Sequence, residues 1–157
     1  MSDILINISA SNEWTKEEIS FVKEILTISF NSMSKKKFKE ISVRLTGDKE
    51  IKKLNKQYRN KNSPTNVLSF CSLSDFNHPD TLEMLGDIVI SKDTILREAK
   101  NSKKNFDQHL THIGIHGLLH LLGYSHDKEK EALIMEGLEI DILKDLYLFK
   151  NFPNSVI

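Results

Sequence analysis

The sequence predicts a single α+β domain in which a mixed sheet of about four strands packs against roughly five helices. The chain has 157 residues and 39% hydrophobic content, which suffices for one sizeable core but is short for two. Short runs typical of strands lie between longer runs with helical spacing, and no repeat or low-complexity linker separates them. We therefore expect residues 1–157 to form one domain.

A strand and a helix come first. The segment Ile4 to Ile8 is typical of a short strand, and Thr15 followed by Glu18 forms a capping box that opens an amphipathic helix. The residues expected on the buried face of this helix are Ile19, Val22, Leu26 and Met33.

The second strand and the second helix follow. Apolar residues alternate with polar ones as in a half-buried strand, at Ile41, Val43 and Leu45. Gly47 and Asp48 then begin a helix whose outer side carries lysines. The residues expected to point inward from this helix are Ile51, Leu54 and Tyr58.

The next segment alternates loops with strands. Polar residues and a proline predict a loop over 59–66, which leads into a third strand from Val67 to Cys71. Residues 72–83 are expected to be irregular, and Leu85 to Ser91 to form the fourth strand.

Three helices complete the prediction. Ser91 and Asp93 are expected to cap a helix that runs to about Asn101. A fourth helix is predicted over about 107–122 and packs on the sheet, and Asp127 is expected to open the last one.

Five of the six histidines fall in the fourth helix and the turn after it, at His109, His112, His116, His120 and His126. Residues four apart lie on one helix face, so His116 and His120 can occupy neighbouring corners of a tetrahedron. Gly123 lets the chain turn so that His126 returns as a third ligand. We predict that His116, His120 and His126 bind one divalent ion and leave a fourth position open, as catalytic zinc sites do.

The spacing does not fix the roles of the other two helical histidines or the identity of the metal. His109 and His112 either hold the ligands by hydrogen bonds or face solvent. Neutral imidazole suits zinc and also nickel or iron, and one Zn²⁺ per chain is the expected cofactor. Because zinc in an open site makes hydroxide available at neutral pH, hydrolysis is the expected chemistry.

The ligand spacing also matches the long zinc-peptidase pattern H-E-x-x-H-x-x-G-x-x-H. That class needs a glutamate directly after the first histidine as its general base. Gly117 occupies this position and has no side chain that could accept a proton. A metallopeptidase is therefore a disfavoured alternative.

Charge is balanced in amount and uneven in distribution. There are 22 lysine and arginine residues and 22 aspartate and glutamate residues. The net charge therefore does not indicate whether a partner is acidic or basic. Basic residues crowd the second helix and the segment before it, at Lys35, Lys36, Lys37, Lys39, Lys49, Lys52, Lys53, Lys56, Arg59 and Lys61. Such a stripe can track a phosphate backbone, although solvated helix faces are also rich in lysine.

A cytoplasmic, soluble protein is expected. Cys71 is the single cysteine, so no internal disulfide can form and a reducing compartment fits. The longest apolar runs are far too short to cross a bilayer, and the first residues lack the basic and hydrophobic regions of a signal peptide.

Three segments carry a family resemblance. HGLLHLLGYSH, which contains the predicted ligands, resembles the H-G-x-L-H-L-x-G-Y-D-H pattern of the YbeY family of bacterial endoribonucleases and rRNA maturation factors. LNKQYRNKNSPTNVLSF, from Leu54 to Phe70, is similar to the family's L-N-x-x-Y-R-x-x-D-x-P-T-D-V-L-S-F block. GDIVIS, from Gly86 to Ser91, is similar to its G-D-I-x-I-S strand.

The resemblance implies a function and a site. It implies a zinc-dependent endoribonuclease that cleaves single-stranded RNA in maturation of the small-subunit 16S rRNA 3′ end and in ribosome quality control. His116, His120 and His126 would be the zinc ligands, and Arg59 would be the catalytic or RNA-contacting arginine; we assign Arg59 and His116 as the catalytic residues. The implied partners are rRNA, the small ribosomal subunit and assembly factors that include the GTPase Era. A ribosome-assembly binding factor with a mainly structural zinc is the alternative.

Three positions depart from the family pattern. Ser125 and Asn66 stand where the family has aspartate, and Asn62 where an acidic residue is common. None of the three is a predicted ligand, but carboxylates near a metal orient its histidines. We therefore expect these departures to bear on metal affinity and activity before they bear on the fold.

Overall fold

The computed structural model describes residues 4–33, 39–72 and 83–150, with side chains through residue 146. The strands of this part of the chain are β1 (Ile4–Ala10), β2 (Lys39–Thr46), β3 (Val67–Cys71) and β4 (Glu83–Ser91). The helices are α1 (Lys16–Met33), α2 (Asp48–Arg59), α3 (Lys92–Asn101), α4 (Phe106–Leu121) and α5 (Glu129–Lys150). Lys35, Lys36 and Lys37 and most of the segment 72–83 lie outside the described residues.

The four strands form one mixed sheet in the order β1-β2-β4-β3. The β1–β2 and β2–β4 pairs are parallel, whereas β3 runs antiparallel to β4. The predicted α+β class, with about four strands and roughly five helices, is confirmed. Because β3 pairs only with β4, it is an edge strand of the described sheet.

The main core lies between one sheet face and the helices α1 and α4. It includes Ile6, Val43 and Ile88 from the strands and Leu26 and Leu118 from the helices, all buried. α5 packs beside α4 through a second buried cluster that contains Leu119 and Leu146. The predicted packing of the histidine helix on the sheet is therefore present.

On the opposite face of the sheet, α2 packs in the described part of the chain, and a third buried cluster there contains Ile51, Leu68 and Val89. The prediction that Tyr58 points inward is wrong, because its side chain is 60% exposed. Tyr58 lies in the last turn of α2, at the exposed end of the helix. There it rests on Phe70 of β3, with ring centroids 5.1 Å apart and an interplanar angle of 60°.

The ends of α2 and α3 are joined by one polar network. The Asp48 N–H at the start of α2 donates to the Asp93 carboxylate at 2.9 Å. The hydroxyls of Ser91 and Thr94 donate to Asp48 Oδ1 at 2.7 and 2.6 Å, and Arg97 pairs with its Oδ2 at 2.7 Å. Ser91 is thus the N-cap residue of α3 as predicted, but its side chain makes no cap hydrogen bond to its own helix. Asp93 instead caps α2.

Some boundaries differ from the prediction. β1 extends to Ala10, and α5 begins at Glu129 rather than at Asp127. The Asp127 N–H instead donates to the Ser125 hydroxyl at 3.2 Å, which forms a local turn before the helix.

Candidate metal centre

α4 is fixed at its start and along its inner face. Asn105 and Gln108 form a capping box at the helix N-terminus. Midway along, the Ser69 hydroxyl of β3 donates to the Gly117 carbonyl at 2.9 Å. A Cβ at Gly117 would lie 3.1 Å from Val67 and 3.2 Å from Ile88, so the missing side chain allows close packing on the sheet. The histidines consequently lie on the outer side of a firmly held helix.

The end of α4 turns the chain so that a third histidine returns. Gly123 has a φ of +98°, and the Tyr124 N–H donates to the Leu119 carbonyl at 3.0 Å. A glycine in this region of φ is the usual C-terminal stop of a helix. His126 follows on the exposed turn before α5.

The three predicted ligands meet. His116, His120 and His126 each offer a nitrogen, and these nitrogens all lie within 4.8 Å of one another. The ring centroids are 4.6 Å apart for His116 and His120, 5.2 Å for His116 and His126, and 4.9 Å for His120 and His126. A single ion can therefore contact one nitrogen from each ring.

Hydrogen bonds orient two of the rings with Nε2 toward this point. His116 Nδ1 donates to Glu139 Oε1 at 2.6 Å, and His120 Nδ1 donates to the Tyr124 carbonyl at 3.1 Å. With Nδ1 carrying the proton, each neutral ring keeps a lone pair on Nε2. The metal-binding nitrogen of both rings is thus selected by the surrounding protein.

The distance between these two nitrogens fits a cation. Nε2 of His116 and Nε2 of His120 are 3.1 Å apart, and two lone pairs at this distance repel unless a proton or a cation lies between them. Two nitrogen ligands of a tetrahedral zinc ion are separated by about 3.3 Å, given Zn–N bonds of about 2.0–2.1 Å. The donor set and its spacing therefore suit zinc.

Glu139 of α5 is a site residue that sequence reasoning missed. It is only 7% exposed, and its two oxygens accept from His116 at 2.6 Å and from His112 at 3.1 Å. Burial alone would raise the pKa of this carboxyl, but the hydrogen bonds and charges of His112 and His116 lower it to about 2. Glu139 is thus a carboxylate at neutral pH that holds His116 in place and draws His112 to the same oxygen pair.

Burial, together with the positive charges around it, makes the charged form of His120 unfavourable. Burial is the largest cause of its lowered pKa, followed by the charges of His116 and His126, and Arg59 contributes further in the same direction. The Tyr124 carbonyl opposes this shift. A neutral His120 is the form that can bind a metal, and the positive charge of Arg59 also disfavours its protonation.

His109 does not join the cluster. Its Nε2 lies 2.9 Å from Glu98 Oε1, which also accepts from the Asn66 side chain at 3.0 Å. Asn66 is thus engaged between β3 and α3, while Asn62 is exposed. The departures from the family pattern leave the three ligands unchanged.

A cavity lies at the metal centre, and a separate row of exposed cations lies on α2. A cavity of about 450 Å³ opens between α4 and α5 and is lined by His112, His116, His126, Met135 and Glu139, among others. On α2 and just after it, the cations Lys49, Lys52, Lys53, Lys56, Arg59 and Lys61 are all exposed. In the part of the chain that is described, none of these six cations forms an ion pair. No helix of these residues has the length and apolar character needed to cross a membrane.

Known proteins share this sequence and this fold. A family model described as Endoribonuclease YbeY matches residues 5–147. The Endoribonuclease YbeY of Dichelobacter nodosus is 52% identical over 107 residues, covering 68% of this chain and 68% of its own. That of Bartonella quintana is 44% identical over 140 residues, covering 87% and 88%. The solution structure of TM1509 from Thermotoga maritima is 26% identical, with a TM-score of 0.61 over 91% of this chain and 89% of its own. The chain therefore belongs to the YbeY endoribonuclease family.

Proposed function

We propose that this protein is a zinc-dependent endoribonuclease that cleaves single-stranded RNA. The observation that carries the proposal is the convergence of His116, His120 and His126, with two Nε2 atoms held 3.1 Å apart. Family membership supports the substrate, since the relatives are named as endoribonucleases. The exposed cations of α2 support it too, because a polyanion gains affinity from each phosphate that they neutralise.

Each proposed catalytic group has a distinct role. Zinc at the three histidines would supply Lewis-acid chemistry, by polarising a phosphoryl oxygen or lowering the pKa of a water molecule. Arg59 stabilises charge that develops on the phosphate, because its planar fork holds two oxygens at once. His116 would hold the zinc through Nε2, since its Nδ1 donates to Glu139, which fixes the ring.

We place this activity in maturation of the 16S rRNA 3′ end and in ribosome quality control, in the cytoplasm. The small ribosomal subunit and assembly factors, including the GTPase Era, are the proposed partners. A peptidase role gains no support, because the Gly117 position that would carry the general base faces Val67 and Ile88 of the sheet.

Cleavage by purified protein tests the proposal. Arg59→Ala and His116→Ala should each lose cleavage of single-stranded RNA, whereas Lys49→Ala, which removes an exposed cation at the far end of α2, should retain most of it. A gel assay with labelled RNA and a nuclease-free wild-type control measures this. Cleavage by both variants at the wild-type rate would refute the proposed mechanism. Association with small-subunit particles without any cleavage would favour the binding-factor alternative.

A further inference from the structure

Tyr58 and Phe70 form an aromatic surface that the proposed cleavage chemistry does not use. We call these two residues the aromatic platform. Their centroids are 5.1 Å apart, so Phe70 supports one side of the Tyr58 ring while 60% of the Tyr58 side chain stays exposed. An aromatic ring held by a neighbour and open to solvent is a preformed stacking surface.

The platform borders a cavity of about 590 Å³ on the α2 side of the sheet. Leu54 and Val89 continue its apolar wall, and Asn7, Ser42 and Asp87 supply polar groups across the cavity. A nucleobase has flat apolar faces and a polar edge, so it matches a cavity with one aromatic wall and hydrogen-bonding groups opposite.

The edge strand β3 connects the platform with the metal centre. On one face of this strand, the Ser69 hydroxyl bonds to the Gly117 carbonyl at 2.9 Å and Cys71 Sγ lies 3.7 Å from the His120 carbonyl. Phe70, between them, points to the opposite face because side chains alternate along a strand. A strand of RNA that passes round this edge can therefore reach both sides.

Charge on α2 selects a polyanion as the occupant. Arg59 follows Tyr58 directly in the last turn of α2, and both residues are exposed. Lys52, Lys53 and Lys56 precede them as exposed cations. An RNA backbone satisfies these charges while its bases remain free to stack.

We propose that Tyr58 stacks on a nucleobase of the bound RNA, a short distance along the strand from the scissile phosphate. This inference rests on the proposed endoribonuclease function. Stacking tolerates every base, so the platform positions single-stranded RNA without reading its sequence. Base-paired RNA has no free base face to offer, and the platform thereby favours single strands.

Binding and cleavage are measured separately. Fluorescence anisotropy with a phosphorothioate, nuclease-resistant single-stranded RNA gives Kd for the wild type and for Tyr58→Ala, Tyr58→Leu and Tyr58→Phe. Loss of base stacking should raise Kd by about 5- to 150-fold for Ala and Leu, with little change for Phe. Tyr58→Leu keeps an apolar side chain on Phe70, so it reports stacking even where Ala disturbs folding. Leu133→Ala, which removes another exposed apolar side chain, should bind as the wild type does.

An abasic scan of the RNA locates the stacked base. At one position, removing the base should weaken wild-type binding and leave Tyr58→Leu unaffected. Wild-type Kd for Tyr58→Leu would overturn the inference, and if His116→Ala still abolished cleavage, the proposed function would stand without it. A Tyr58 effect on Kd in a protein that cleaves no RNA would instead support the platform and reject the nuclease function.

Discussion

Glu139 organises the histidine cluster at the level of single residues. Its buried carboxylate accepts from both His112 and His116, so one side chain of α5 orients two side chains of α4. A carboxylate that accepts from the outer nitrogen of a ligand histidine fixes the ring and raises its basicity. Metal affinity should therefore depend on a residue that does not touch the metal.

Replacing Glu139 tests this dependence. Glu139→Gln preserves the size of the side chain but removes its charge, and should weaken zinc binding by about 10- to 100-fold, the usual effect of losing such a partner. Competition with a chromophoric chelator measures the affinity. The matched change Glu131→Gln, at an exposed position of the same helix, should leave it unchanged. Equal affinities for both variants would contradict the orienting role.

Local spacing explains which site residues could be predicted. His116 and His120 are four residues apart on one helix, and Gly123 and His126 follow within a single turn, so the cluster is encoded within eleven residues. Glu139 reaches the site only because α5 packs against α4, and no local pattern distinguishes it from the other glutamates of that helix. Tyr58 has the periodicity of a buried residue, but it lies in the last turn of α2 and is 60% exposed.

At the level of secondary-structure elements, the fold depends on how the helix ends are capped and on one glycine within a strand. The N-cap residue of α2 is Gly47, which has no side chain to cap the helix, and the N–H of Asp48, the first residue of α2, donates to Asp93 of α3 instead. Asp48 in turn accepts from Ser91 and Thr94. Spacing alone assigned Ser91 and Asp93 to their own helix, because reciprocal capping between helices depends on their packing.

The Asp48 network predicts a pH dependence of stability. Burial would raise the pKa of Asp48, but hydrogen bonds from Thr94, Arg97 and Ser91 lower it below its usual value. The folded state therefore gains stability from this carboxylate above its ordinary pKa and loses it as pH falls toward the lowered one. The difference in unfolding free energy between wild type and Asp48→Asn should be largest above about pH 5 and shrink below about pH 4. Urea titrations across this range measure it, and a constant difference would count against the network.

The backbone of β4 requires a glycine at position 86. It lies at the register shift between β2 and β4, with a φ of +146°, and an added Cβ would collide with the Phe70 carbonyl of β3. Gly86→Ala should lower the unfolding free energy by more than about 2 kcal/mol, because strain and a backbone clash combine. Gly137→Ala offers the contrast: a Cβ there meets no atom within 4 Å in helix α5, so a gain of up to about 1 kcal/mol is expected. Chemical denaturation of both variants checks the pair.

At the level of the whole molecule, the main hydrophobic core and the metal centre are separate. The main buried cluster, whose members run from Ile4 to Leu121 along the chain, lies between the sheet and two helices and includes none of the three ligands. The fold class was predictable because alternation and helical spacing are properties of each segment. The order β1-β2-β4-β3 was not, since insertion of β4 beside β2 depends on pairing between distant segments.

Metal removal should therefore abolish cleavage without unfolding the protein. After chelation we expect an unchanged far-UV circular dichroism spectrum at room temperature and a lower Tm, because a ligand that binds only the folded state stabilises it by mass action. Zinc added back should restore both cleavage and Tm. Collapse of the spectrum on chelation would instead support the alternative in which the metal is chiefly structural.

Binding of a cation would restrain the turn after α4. His126 stands on the exposed stretch that leads from Gly123 to Glu129, while its two companions stand on a helix anchored to the sheet. An ion bound by all three would tie that stretch to the helix. Proteolysis between α4 and α5 should consequently be slower when zinc is present. The rate of backbone cleavage would then report the occupancy of the metal site.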